Sequence, residues 1–549
     1  MRNLLKQFSK VEKLIFITIL LIYINNLFID IMKIDAAQYA SIAFEMLTNN
    51  SYLQVTDMQA DYLDKPPLLF WISSISMGLI GVCNFAYKIG TFLMLLLSLL
   101  AIYKLTIRYY NLEIAKKATL IFATCQAFFQ MTNDVRTDGL LTSSVIISIW
   151  LLVEYFFTNK IKYLVFGAVF TAFAMMSKGP IGIIAVLMPV GLQLLYKKDW
   201  KLIFNINWIV YLVVVALLLL PMSYGLYHQF DLHPEKIING KQNQSGLYFY
   251  YWLQSFGRIT GENVWDNGLP WHFFIGSICW DFFPWIFVLY ACLFVKIKNI
   301  ILKKSENLPE IITLSGFLVL FILLSLSKYK LPHYIFVTLP FASIICASYF
   351  DKITNIQYKI WNKIYIAFGC LILIILFVFP LFFFREFNFI IIFLIVLQLL
   401  LLYFRNTIKM YGTLKLISYV IVLNLFLSFV FYSKLLSFQA DSMAGKWLTK
   451  NNTTASVYLI EEKSHAFNFY TKNTKNQTIS LAEIDNVKKP SWFFINEERL
   501  QLVKQKYDIV KKIKFSDYPI TRLKLSFLLE EKRPETLNYY YLIQLKKRI

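Results

Sequence analysis

Side chains able to handle a phosphate or activate an acceptor stand in five short polar segments, each beside a long apolar run. Asp35 precedes "AAQYASIAFEM", and Asp64 and Lys65 fall in "DYLDKPPLLFW". Asp134, Arg136 and Asp138 share "NDVRTDGLLT", and Lys178 lies in "SKGP". Arg258 and Glu262 lie in "QSFGRITGEN", and Lys328 and Lys330 in "SKYKLPHY". Charge this close to an apolar region is costly and often marks a site. The chemistry that fits is sugar transfer from a lipid phosphate. Lysine or arginine would hold the departing phosphate and stabilise its developing charge. A carboxylate on the opposite side would deprotonate an incoming hydroxyl, or orient the acceptor, in one inverting displacement. Tyr39, Tyr62, Trp71, Trp265 and Tyr334 are available to cover a sugar ring, although aromatic belts are normal at bilayer interfaces.

Each residue also has a structural reading. Lys65, Lys178 and Lys330 could snorkel from helix ends. Asp138 could cap a helix starting at Gly139, and Asp35 one over 36–48. Arg258 and Glu262 are four apart and could pair along a helix. His228, His233, His272 and His333 show no repeated spacing, so they read as structural polar residues and not metal ligands. The six cysteines form no CxxC, which argues against a disulfide framework and a zinc cluster. The recurrence of charge across segments therefore carries the argument, not any one residue.

The elements that position these residues follow from composition. The 549-residue chain is 58% hydrophobic and 16% charged, with mean hydropathy +0.55. Many runs reach the roughly 20 residues that cross a bilayer, which makes this a mainly α, polytopic helix bundle and excludes a membrane β-barrel. Basic residues after alternate runs, beginning with Arg2, Lys6, Lys10 and Lys13 at the cytoplasmic N-terminus, set about 13 spans. They lie near 14–29, 85–105, 118–132, 139–157, 163–177, 180–196, 207–227, 272–295, 310–326, 333–350, 361–383, 388–404 and 413–432. All five charged segments then fall on the outer side. The apolar start reads as a retained first helix, because no small-residue cleavage site follows it. Segments 66–80 and 36–48 read as interfacial or re-entrant helices. Residues 1–432 form the membrane domain. Residues 433–549, with β-type runs "SVYLIE", "AFNFYT", "SWFFIN" and "YYYLIQL", form a small extracytoplasmic α/β domain. The net charge of +22 is spread over loops, which fits orientation and attraction to anionic membrane lipids and not nucleic-acid binding.

The motifs carry a family resemblance. "DAAQYASIAFEM" resembles the first-loop start of polyprenyl-phosphate-sugar glycosyltransferases, and "YLDKPPLLFW" resembles their Lys-Pro-Pro-Leu motif. "TDGLLT", "SKGPIGI" and "SKYKLPHYIFVTLPFAS" resemble later motifs in the same order. Over roughly 14–350 the chain resembles the superfamily of aminoarabinose lipid A transferases and protein O-mannosyltransferases, with the GT-C fold. The resemblance implies Asp35 as the first-loop catalytic carboxylate and Asp138 as the second. It implies Lys65 on the lipid-linked phosphate, with Tyr39, Tyr62 and Tyr334 nearby. Lys178, Arg258 and Lys330 follow as second-rank anion contacts. Two positions depart from the pattern: Ala36 replaces an acidic residue and Gln38 an arginine. Phosphate binding then leans more on Lys65, which Pro66 and Pro67 would hold at the lipid boundary. The catalytic resemblance implies no metal and no cofactor, while some relatives place a metal near the position of Asp64.

The expected activity is inverting transfer of a sugar from a polyprenyl phosphate donor to lipid A, at the periplasmic face of a bacterial inner membrane. Protein or another glycolipid is the alternative acceptor. A lipid or solute transporter is the alternative class, and it would show paired interrupted helices with charge near the midplane.

Overall fold

The computed structural model describes residues 8–262, 265–301, 308–406, 412–451, 455–473, 476–487 and 491–547. Arg2 and Lys6, used above for orientation, lie outside them. The chain is a multi-pass membrane protein built mainly of helices. Among the described residues seven helices are long and apolar enough to cross a bilayer, from Asn84–Tyr109 to Gly412–Phe438. Shorter apolar helices, such as Ile181–Lys197 and Ile312–Leu326, stand in other expected spans. Two expected spans are broken. The third is Leu112–Thr124 followed by Gln126–Asn133, with Cys125 in an extended conformation between them. The eighth divides into Phe273–Asp281 and Ile286–Ile301, around Pro284. Proline lacks the N–H and clashes with the preceding turn, so the second break has a local cause.

The first polar segment is ordered. Helix Asp35–Asn49 buries Ala36, Tyr39, Ala40, Ala43 and Phe44 and ends at Asn50, in the left-handed conformation. It packs against Leu68–Ile80, which starts directly after Pro66 and Pro67. Between them the short strands β1 (Thr56–Asp57) and β2 (Ala60–Asp61) form an antiparallel turn. Glu45 pins this turn by accepting from the Thr56 hydroxyl (2.7 Å) and the Gln59 N–H (2.9 Å).

In "SKGP" the backbone turns sharply. Gly179 has φ +89°, and a Cβ on Gly182 would lie 2.5 Å from the Ala174 carbonyl carbon. Helices Ile161–Lys178 and Ile181–Lys197 therefore meet closely, and Lys178 is fixed at the end of the first.

The C-terminal region holds a five-stranded mixed sheet in the order β4-β3-β5-β7-β6. The strands are β3 (Val457–Ile460), β4 (Gln477–Ile479), β5 (Trp492–Asn496), β6 (Tyr507–Asp517) and β7 (Asn538–Lys547). Alternation fills both faces. Leu459, Phe494 and Leu542 pack on helix Ala440–Lys450 and on Phe467. Phe493, Ile495 and Ile543 pack on Leu500 and Val503 of helix Glu497–Lys506. "AFNFYT" departs from its β-type reading: it lies in helix His465–Thr471, whose start is capped by the Ser464 side chain.

Candidate active site

Five chain segments converge on a polar cavity of about 110 Å³. Asp35 comes from the first turn of helix Asp35–Asn49, where the helix dipole favours a negative charge. Asp64 and Lys65 come from the loop ahead of Pro66. Arg136 and Asp138 come from the start of helix Thr137–Thr158, Arg258 from helix Gly257–Thr260, and His333 and Tyr334 from the 3-10 turn Pro332–Thr338.

The polar groups form a connected chain of contacts. Arg136 bridges Asp35 and Asp134, the second at 2.7 Å, and approaches His333 at 3.4 Å. Asp138 is ion-paired to Lys178 on one oxygen and lies 3.6 Å from His333 on the other. The Lys178 ammonium also sits 3.4 Å from the Tyr334 ring centre, and the Tyr334 hydroxyl accepts from Arg258 at 2.9 Å. Arg258 is 3.7 Å from Asp64, and Lys65 holds Asp64 at 3.0 Å. Burial alone would raise the Asp64 carboxyl, but Lys65 and then Arg258 outweigh it and hold the group below its usual value. Burial opposes charge on Arg136 as well, yet Asp134 and Asp35 raise it further and keep it protonated. Burial, then Asp35, pushes the Tyr39 hydroxyl well above its usual range, so it remains a neutral hydrogen-bonding group.

Accessibility separates the carboxylates. Asp138 is 4% exposed and committed to Lys178, whereas Asp35 is 37% exposed and faces the cavity. Lys65 lines both this cavity and an adjoining apolar pocket walled by Pro66, Met222, Phe230 and Tyr250. A cation at the junction of a polar and an apolar compartment suits the phosphate of a lipid-linked sugar. Among the described residues no group of three or more His, Cys, Asp or Glu is placed to hold a metal.

Comparison with known proteins bears on the fold that carries this cavity. The profile of the dolichyl-phosphate-mannose-protein mannosyltransferase family matches residues 64–224. Undecaprenyl phosphate-alpha-4-amino-4-deoxy-L-arabinose arabinosyl transferase 2 of Proteus mirabilis is 25% identical over 56% of this chain and 52% of its own. The corresponding transferase of Erwinia tasmaniensis is 22% identical over 61% of this chain and 59% of its own. The chain thus matches little more than half the length of these relatives. The crystal structure of ArnT from Cupriavidus metallidurans, bound to undecaprenyl phosphate, superposes with a TM-score of 0.70 at 14% identity. That superposition covers 96% of this chain and 97% of that one. The superposition shows a shared membrane fold of the GT-C type.

Within this GT-C fold most sequence-derived candidates meet. Asp35, Tyr39, Lys65, Asp138, Arg258 and Tyr334 line the cavity, and Lys178 reaches it through Asp138 and Tyr334. Two candidates fall elsewhere. Lys330 donates to the Leu269 carbonyl at 3.0 Å, away from the cavity wall. Tyr62 packs edge-on against Phe70 and lines the apolar pocket instead. Trp71 donates to the Tyr52 carbonyl, a structural bond. The capping readings do not hold: Ile34 and Arg136 occupy the capping positions, and neither helix start has a side-chain cap. Lys65 and Lys178 point inward and do not snorkel. Glu262 accepts from Trp252 and Thr260, not from Arg258. Residues without an assigned role on sequence grounds also belong here. Arg136 was signalled by its place between Asp134 and Asp138. His333, Gln38, Asp64 and Tyr329 have no periodic signal and are brought in by tertiary packing.

Proposed function

We propose that this chain is a glycosyltransferase that moves a sugar from a polyprenyl phosphate to lipid A at the periplasmic face of a bacterial inner membrane, with inversion. The reading treats 1–432 as the transferase unit and 433–549 as an extracytoplasmic domain. The observation that carries it is that the accessible carboxylate Asp35 and the boundary cation Lys65 line the same cavity. The names of the aminoarabinosyl transferases above support the donor class, a sugar on undecaprenyl phosphate.

Lys65 and Arg258 take the donor phosphate. As the anomeric C–O bond breaks, the bonding pair leaves with the polyprenyl phosphate, and these cations stabilise the added negative charge. The acceptor oxygen attacks the opposite face of the anomeric carbon. A lipid A phosphate is already anionic, so it needs no base. Asp35 then positions the acceptor and offsets positive charge developing on the sugar. With a hydroxyl acceptor, the same carboxylate receives the proton. Arg136 orients Asp35, and Asp138 holds Lys178 in place. Tyr39 and Tyr334 flank the sugar.

Mass spectrometry of lipid A and total glycolipids tests this in four strains: one with the protein, one without it, and the Asp35→Asn and Lys65→Ala variants. Loss of one sugar mass from lipid A in all three defective strains is expected. Unchanged lipid A with an altered glycoprotein would move the acceptor to protein, the direction in which the mannosyltransferase profile points. Full activity in both variants would remove the site assignment.

A further inference from the structure

A second, larger cavity lies outside the site just described. It measures about 390 Å³ and opens between the start of helix Asn84–Tyr109 and helices Ala440–Lys450 and His465–Thr471 of the C-terminal region. Lys446, Lys450 and Lys472 line it, with Cys83, Asn84 and Tyr470 on its inner wall. One carboxylate underlies the wall. Asp30 takes Lys446 at 2.8 Å, Asn84 at 3.2 Å and the Tyr470 hydroxyl at 3.4 Å. Lys450 and Lys472 are exposed and pair with no carboxylate among the described residues, so the cavity keeps a positive balance.

Its surroundings say what anion fits. Asn84 opens a membrane-length helix, so the cavity mouth stands at the bilayer boundary. Immediately beside it are apolar side chains facing outward: Leu79 at 83% exposure, Phe28 at 62% and Ile80 at 52%. Phe28 is tied to the wall by its stack on Phe85 (5.2 Å) and by the Asn84 side chain donating to its carbonyl (3.3 Å). A soluble anion would use the lysines and leave this apolar strip unused. A lipid phosphate uses both. Interfacial lysines and exposed apolar residues are the two halves of such recognition.

We propose that this cavity binds the phosphate of an anionic lipid headgroup, with the acyl chains lying on Phe28, Leu79 and Ile80. The site is independent of the transferase reading. Bound there, the lipid joins the C-terminal region to the membrane surface. A glycerophospholipid of the bilayer and lipid A share this chemistry, and the test separates them.

Cys83 is an exposed thiol on the cavity wall and serves as the reporter. The full-length protein is placed in nanodiscs of uncharged, phosphate-free digalactosyldiacylglycerol, then in discs containing phosphatidylglycerol, then in discs containing lipid A. Alkylation by uncharged N-ethylmaleimide is followed at the Cys83 peptide by mass spectrometry. Several-fold slower labelling is expected when the site is filled. Slowing with phosphatidylglycerol assigns a bilayer phospholipid, and slowing with lipid A alone assigns an acceptor-type lipid. The slowing should vanish in the Lys450→Glu, Lys472→Glu double variant. It should persist in Lys504→Glu, Lys506→Glu, which makes the same charge change elsewhere on the C-terminal region. Equal labelling in all three discs overturns the proposal, and so does equal loss of protection in both double variants.

Discussion

Lys65 and Lys178 are both lysines of the site, yet their surroundings give them different consequences. Among the described residues the Lys65 ammonium pairs with Asp64 alone, and Lys65 faces the cavity from a loop. Lys178 is buried and forms the ion pair of the buried Asp138. Removing one member of a buried pair leaves an uncompensated charge, at a cost of about 3–5 kcal/mol. Lys178→Ala should therefore lower thermal stability in detergent as well as transfer. Lys65→Ala leaves Asp64 a second cation, Arg258, so it should lower the unfolding temperature less than Lys178→Ala while cutting turnover by about 10²–10³, the scale of one lost oxyanion contact. Unfolding scans beside transfer assays on both variants check the contrast, and equal destabilisation would place Lys65 among the structural lysines. Legibility in the sequence follows the same division. Asp35, Lys65 and Asp138 sit in short motifs whose neighbours fix their positions. Lys330 occupies a similar motif but spends its ammonium on the Leu269 carbonyl, a bond between segments that sequence spacing does not reveal. His333 was set aside because histidines need a ligand spacing to signal a metal. Its role here is a contact to Arg136 and Asp138 from distant elements.

At the scale of elements, two short rigid connections deliver the cations. Pro66 and Pro67 fix the loop at the start of helix Leu68–Ile80. Replacing both by alanine frees the unfolded and ground-state loop, each proline being worth about 0.4–1 kcal/mol. The expected result is a raised KM for the polyprenyl donor with a smaller change in kcat, read from steady-state kinetics. A change confined to kcat would mean that the prolines do not position the phosphate contact. The Gly179–Gly182 turn delivers Lys178. Gly182→Val forces side-chain atoms into the Ala174 backbone, and an overpacked contact costs about 1–3 kcal/mol. Unfolding scans should show that loss, and transfer should fall with it as Lys178 moves. Hydropathy located the helices because burial in lipid demands long apolar runs. It did not locate the break at Cys125, since that residue is as apolar as its neighbours and the interruption is imposed by packing. It misread "AFNFYT" for the same reason: a short aromatic run satisfies strand and helix alike, and the Ser464 cap decided the outcome.

The whole molecule couples its C-terminal region to the cavity by a chain of polar contacts. His465, in the first turn of its helix, meets Asp57 at 2.8 Å. The other Asp57 oxygen accepts from the Gln38 side chain at 2.8 Å, and Gln38 lines the cavity one helical turn from Asp35. Lys33 strengthens the same docking by bridging Asp441 and Asp517, each at 2.8 Å. None of this was visible in the sequence, because His465 lies 408 residues from Asp57 and Lys33 lies 484 from Asp517, while the nearer Gln38–Asp57 contact, 19 residues apart, follows no local period. The arrangement makes His465 a positioning residue. His465→Ala should cost about 1 kcal/mol of one hydrogen bond, roughly a fivefold loss in kcat/KM. That loss should appear mainly in the KM of the acceptor, because Gln38 and Asp35 face the cavity while Lys65 is the proposed donor contact. His465→Gln restores a side-chain donor to Asp57 and should recover most of the activity. Phe467 and not His465 joins this helix to the sheet core, so near-UV circular dichroism should be unchanged in both variants. Equal KM values in wild type and His465→Ala would mean that the C-terminal region docks on the bundle without setting the geometry of the site.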